Sequence, residues 1–71
     1  MYTFEQINNA ITNCTAYHAR KYYDKELAMD MYTLHDGCGD QDGDAFEDLE
    51  DLEDYVCNND EVHDYLLENY A

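Results

Sequence analysis

From Asp36 onward the chain holds fourteen carboxylates and not one lysine or arginine. Residues 1–35 are nearly balanced, with Glu5, Asp24, Glu26 and Asp30 against Arg20, Lys21 and Lys25. Almost all of the formal charge of −15 therefore sits on one half of a 71-residue chain. Charge of one sign at that density repels itself and opposes compaction. A feature that works against stability points to a role outside folding. The partner it fits most economically has a strongly basic surface, and the commonest surface of that kind binds nucleic acid.

The length sets a single domain over residues 1–71, with a near-neutral core half (1–35) and an acidic half (36–71). A chain this short buries only about 60% of its unfolded surface, so a second protomer is a reasonable way to complete the core. Hydrophobic residues nevertheless make up 45%, with eight Tyr and two Phe, which separates the chain from a disordered acidic tail. No apolar run is long enough to span a membrane, and the N-terminus has no signal-peptide pattern. Anionic lipid headgroups would also repel the acidic half. Cys14, Cys38 and Cys57 follow no disulfide spacing, which fits the reducing cytoplasm of a host cell.

The periodicity predicts an all-α fold of three to four short helices with one acidic face. Thr3 and Gln6 form a capping box for a first helix reaching roughly to Tyr22, with Phe4, Ile7, Ile11 and Cys14 on its apolar face. Asp24 is placed as the cap of a second helix, whose inner face is Leu27, Met31 and Leu34. One longer helix through to His35 is the alternative. Asp36 to Asp44, with three glycines and four aspartates, is a loop. Asp42 or Asp44 then caps a third helix with Phe46, Leu49, Leu52 and Val56 inward. Asn59 or Asp60 caps a fourth, carrying Val62 and Leu66. No segment alternates like a half-buried strand over more than four residues. The first two helices are expected to build the core and a homodimer contact, and the others to present the acidic face.

Glu47, Asp48, Glu50, Asp51, Glu53 and Asp54 all lie off the Phe46, Leu49, Leu52, Val56 stripe. Eight helical residues rise roughly 12 Å, so these six place one charge per ~2 Å of axis. Duplex DNA carries one per ~1.7 Å. Asp40, Asp42 and Asp44 extend the field at one end; Asp60, Glu61, Asp64 and Glu68 extend it at the other. An ordinary solvated helix face mixes signs, because like charges at helical spacing cost about 0.2–0.5 kcal/mol per pair. This strip has no cation. A basic groove built for phosphates would bind it by the same release of counterions. Tyr55, Tyr65 and Tyr70 interleave with the acids and could act as anchors that fill pockets, although a tyrosine more usually packs its ring on the core.

In size, charge, tyrosine content and the acidic helix at Glu47–Asp54, the chain resembles the small acidic DNA-mimic proteins of bacteriophages and mobile elements. That resemblance is to a class, and no motif selects a member. It implies a stoichiometric inhibitor, not an enzyme and without a cofactor. Such a protein occupies the nucleic-acid groove of a host defence protein, a CRISPR effector first and a restriction enzyme second. The charge disfavours direct binding of DNA or RNA.

Three other functional readings compete, beside a surface that is acidic only for extreme solubility or a halophilic setting. Asp40, Asp42, Asp44, Asp48 and Asp51 stand at acidic positions of an EF-hand or dockerin-like calcium loop, but Ala45 replaces the turn glycine and Glu47 the usual apolar residue. Cys14 with His18, and His35 with Cys38, could pair as zinc ligands, although Cys14 also completes an apolar stripe. An acidic structural or assembly protein of a phage is the third. Paired carboxylates are too abundant to mark a catalytic acid and base, which need an apolar pocket to divide their roles.

Overall fold

A computed structural model describes residues 2–70. The elements run α1 (Phe4–Cys14), β1 (His18–Asp24), β2 (Met29–His35), α2 (Leu49–Val56) and α3 (Asp60–Tyr70). The fold is thus α+β, not all-α: the second expected helix, and the end of the first, form an antiparallel hairpin.

α1 begins as its sequence indicates. Thr3 Oγ1 accepts from Gln6 N and the Gln6 side chain accepts from Thr3 N, closing the capping box. Ile7, Ala10 and Ile11 are buried. The helix stops at Cys14, eight residues before the expected Tyr22. Thr15 leaves helical geometry, and its hydroxyl donates to the Ile11 carbonyl at 2.7 Å while its own N–H uses the same oxygen. That satisfies an orphan carbonyl of the last turn. The residues beyond it are rich in tyrosine, which suits a pleated, half-exposed surface.

The turn explains why a helix was expected. Asp24 Oδ1 accepts from Glu26 N and Leu27 N, the same local bonds that a helix cap makes. Here they close the hairpin, with Ala28 in the left-handed region at φ 54°. Leu27, expected inward, lies 53% exposed at the tip. Met31 and Leu34 fall on opposite faces of β2 because strand side chains alternate.

Neither strand shows a half-buried pattern, for two different reasons. β1 is an edge with Ala19 its one buried residue. β2 is central, buried at Met31, Thr33, Leu34 and His35. Beyond its pairing with β1, β2 is flanked by the segment after the loop. Tyr32 and Phe46 exchange both backbone hydrogen bonds, and Asp42 N donates to the Leu34 carbonyl at 2.7 Å. Residues 41–46 therefore run as a ragged third strand where Asp42 or Asp44 was expected to cap a helix. α2 starts at Leu49, and Asp48 holds its cap position without a side-chain cap bond.

The core lies on one face of the hairpin. Ala19 and Leu34 meet Ile7, Ala10 and Ile11 of α1, Leu52 and Val56 of α2, and Val62 and Leu66 of α3. α1 packs chiefly on α3, not on a second helix of the N-terminal half. Asn8 Oδ1 accepts from Ala19 N at 2.8 Å, tying α1 to the outer edge of β1. On the other face the His18 and His35 rings stack at 5.4 Å. His35 Nδ1–H donates to the Gly39 carbonyl, because a carbonyl can only accept. In the neutral ring, Nε2 then accepts from the Thr33 hydroxyl at 2.7 Å.

Asn59, not Asp60, caps α3: its Oδ1 accepts from Glu61 N at 2.9 Å and Val62 N at 3.4 Å. Asn59→Ala should cost about 1 kcal/mol in urea unfolding, and Asp60→Ala only a few tenths. Equal losses would show that the cap is misassigned.

Candidate functional site

The charge segregation of the sequence is only partly a segregation in space, because the Arg20 guanidinium reaches the acidic loop beside Gly39. All three cations lie on the hairpin: Arg20 and Lys21 on β1, Lys25 in the turn. Lys21 Nζ pairs loosely with Asp30 at 3.8 Å, both side chains half exposed, and an ion pair of that kind is worth little. Arg20 folds back along the sheet, where its Nε donates to His18 Nε2 at 3.1 Å.

From Asp36 onward every carboxylate is exposed except Asp36 and Glu53. These two are engaged. Asp36 Oδ1 accepts from Cys38 N and Asp40 N, and Glu53 Oε1 accepts from Tyr2 N at 3.3 Å. Among the described residues, no side-chain hydrogen bond or ion pair involves the other twelve. Asp40, Asp42 and Asp44 occupy the loop and the ragged strand, and Glu47 and Asp48 the bend that leads into α2. Glu50, Asp51 and Asp54 stand on α2, and Asp60, Glu61, Asp64 and Glu68 on α3.

The acidic helix is shorter than expected. Glu47 and Asp48 precede it, leaving four carboxylates on eight residues, or one per ~3 Å of axis. The helix alone does not reach the linear density of a duplex. The field comes from loop, α2 and α3 together, on a molecule whose longest extent is 37 Å.

Unpaired like charges should make stability salt-dependent. Between about 0.01 M and 0.1 M salt the screening length falls from ~30 Å to ~10 Å. We expect Tm to rise by about 4–8 °C over that range, corresponding to ~1 kcal/mol for a domain of this size. The one ion pair among the described residues, Lys21 with Asp30, is weak and offers little attraction to lose. A flat or falling Tm would show that repulsion is not a significant cost.

The tyrosines divide. Tyr65 and Tyr70 are half-buried against each other at 6.2 Å, and Tyr70 Oη accepts from Asn9 Nδ2. They are largely committed to packing. Tyr55 rests on Phe46 at 5.4 Å yet stays 52% exposed, so it remains a contact candidate.

Beside Tyr55 lies a feature that sequence reasoning missed. A half-open cavity of about 210 Å³ sits where α1, β2, α2 and α3 meet. Its floor is Ile11, Leu34, Val56 and Val62. Tyr17, Tyr55, Asp42, Thr15 and Asn59 complete the lining. The apolar stripes could have supplied the floor residues singly, but nothing local joins Tyr17 to Tyr55.

The metal readings do not assemble. Asp40, Asp42, Asp44, Asp48 and Asp51 follow a strand instead of a helix. Among the described residues, no group of three His, Cys, Asp or Glu is placed to hold a metal ion. Cys14 Sγ instead contacts the Glu61 carbonyl at 3.5 Å. Burial, then the Glu61 charge, pushes the Cys14 thiol above its ordinary pKa; burial, then Glu53 and Asp54, does the same for Cys57. The thiolate is the metal ligand and the nucleophile, so neither thiol is poised for either task. No helix among the described residues is long and apolar enough to cross a membrane.

Comparison with protein-family models, curated proteins and solved structures finds no match to this chain.

Proposed function

We propose that this protein is a stoichiometric inhibitor whose acidic surface occupies the basic nucleic-acid groove of a host defence protein. A CRISPR effector is the first candidate target and a restriction enzyme the second. The observation that carries this reading is the set of twelve exposed carboxylates with no side-chain partner among the described residues. Glu50, Asp51, Asp60 and Glu61 complement the dipoles of α2 and α3, but the set as a whole repels itself. A basic groove gives them a counterpart, with counterion release as the driving force and salt-sensitive steering of encounter. The folded scaffold fixes the charges in advance, which lowers the ordering cost on binding.

The test uses the purified chain as bait in a host lysate, with elution by a salt step. A captured protein must then lose its binding to duplex DNA when this chain is added in stoichiometric amount. Capture without competition for DNA, together with stable oligomers of the chain itself, would replace this reading with an assembly role.

A further inference from the structure

We propose that the cavity between α1, β2, α2 and α3 receives one arginine side chain from the partner. This deepens the reading above and rests on the partner being basic.

An engineered apolar cavity of about 150 Å³ accepts benzene. This one, at about 210 Å³, admits a side chain slightly larger than that. Its floor of Ile11, Leu34, Val56 and Val62 suits an aliphatic stem. Most polar atoms in the lining are already used. The Thr15 hydroxyl donates to the Ile11 carbonyl and accepts from Tyr17 N, and Asn59 Oδ1 caps α3. What remains is the carboxylate of Asp42, with no side-chain bond among the described residues, the Asn59 amide N–H group, and the two phenols of Tyr17 and Tyr55. Asp42 is held in place through its backbone bond to Leu34.

One negative charge beside two aromatic rings disfavours anions and favours a cation. A guanidinium fits better than an ammonium. It is more weakly hydrated, stacks on aromatic faces and makes directed bonds to a carboxylate. The surrounding acidic surface raises the local concentration of such a group. The acidic surface would therefore supply attraction, and the cavity a specific anchor.

The experiment uses the full chain with labelled methyl groups and a short blocked peptide, Gly-Arg-Gly, at fixed ionic strength. The controls replace its arginine by citrulline, which keeps the shape without the charge, or by lysine. We expect saturable methyl shifts at Ile11, Val56 and Val62 with the arginine peptide. Citrulline and lysine should bind at least about tenfold more weakly. Asp42→Asn should weaken arginine binding by about tenfold and leave the citrulline peptide unchanged. That variant keeps the backbone bond at position 42 and exchanges a carboxylate with no partner among the described residues for a carboxamide of the same shape, so it should fold. Equal binding of arginine and citrulline overturns the proposal, as does equal binding of lysine. Shifts confined to backbone amides near Glu50, Asp51 and Asp54 also overturn it, while leaving the acidic-surface reading intact. Conversely, saturation of the cavity by arginine in a chain that fails to compete with DNA keeps the anchor and removes the mimicry.

Discussion

Reversing Glu50, Asp51 and Asp54 to lysine together should abolish competition with DNA, with a loss of at least ~100-fold in affinity for the target. All three are exposed, lie off the buried Leu52 and Val56 positions and have no side-chain partner. Each reversal changes the charge by two, so the triple variant moves the chain from −15 to −9 and sets three cations against the basic groove proposed for the target. Lysine in the first turn of α2 opposes the helix dipole, at about 0.3–1 kcal/mol for each of the two positions there. Relief of carboxylate repulsion offsets part of that cost. Helix content by circular dichroism should therefore hold while binding fails. Neutral replacements (Gln, Asn, Asn) should lose less than the reversal. Glu53 is left out because its carboxylate accepts from Tyr2 N, so its loss would confuse folding with binding. If competition survives the triple reversal, α2 is not the binding surface.

The largest effect on stability should come from Leu52→Ala. Leu52 is 0% exposed and belongs to the core shared by α1, α2, α3 and the hairpin. Truncating such a leucine costs about 2–5 kcal/mol in lost burial and residual cavity. A domain of this length has only about 4–10 kcal/mol in total. The variant should lose roughly 10–30 °C in Tm, and at the upper end it should be substantially unfolded at room temperature. Leu67→Ala provides the comparison. Leu67 is 47% exposed on α3, and its loss should stay within about 0.5 kcal/mol. Chemical denaturation of both variants checks the assignment of the core. Equal small losses would mean that Leu52 is not where the fold places it.

Much of the helical half was legible. The capping box of Thr3 and Gln6, and the stripe of Ile7 and Ile11, are local features, and local features survive in any fold that keeps the helix. The inward set of Leu52 and Val56, with Phe46 and Leu49 packed beside it, followed from spacing. Phe46 reaches that position from an extended segment, however, so the spacing was right where the element was not. The cap at Asn59 was one of two residues considered, and only its hydrogen bonds distinguish it from Asp60.

The hairpin was not legible, because each of its local signals is ambiguous. Asp24 makes the bonds of a cap and of a tight turn alike. Leu27, Met31 and Leu34 recur at helical spacing, yet one is exposed at the tip and the others face opposite ways. Strand alternation requires one wet face and one dry face. β1 is nearly all wet, and β2 is buried on both sides by what folds around it.

The sequence by itself determined that the second half of the chain would carry an unbalanced negative surface. Burying an unpaired carboxylate is so costly that almost any fold would leave these residues in water. It also determined where α1 begins and which residues of α2 and α3 turn inward, because periodicity is a local property. Only the tertiary structure decided that residues 18–35 are strands, since their burial depends on neighbours far along the chain. It alone brought Ile11, Leu34, Asp42, Tyr55 and Val62 around one cavity, because these residues come from separate segments and meet only when the core closes.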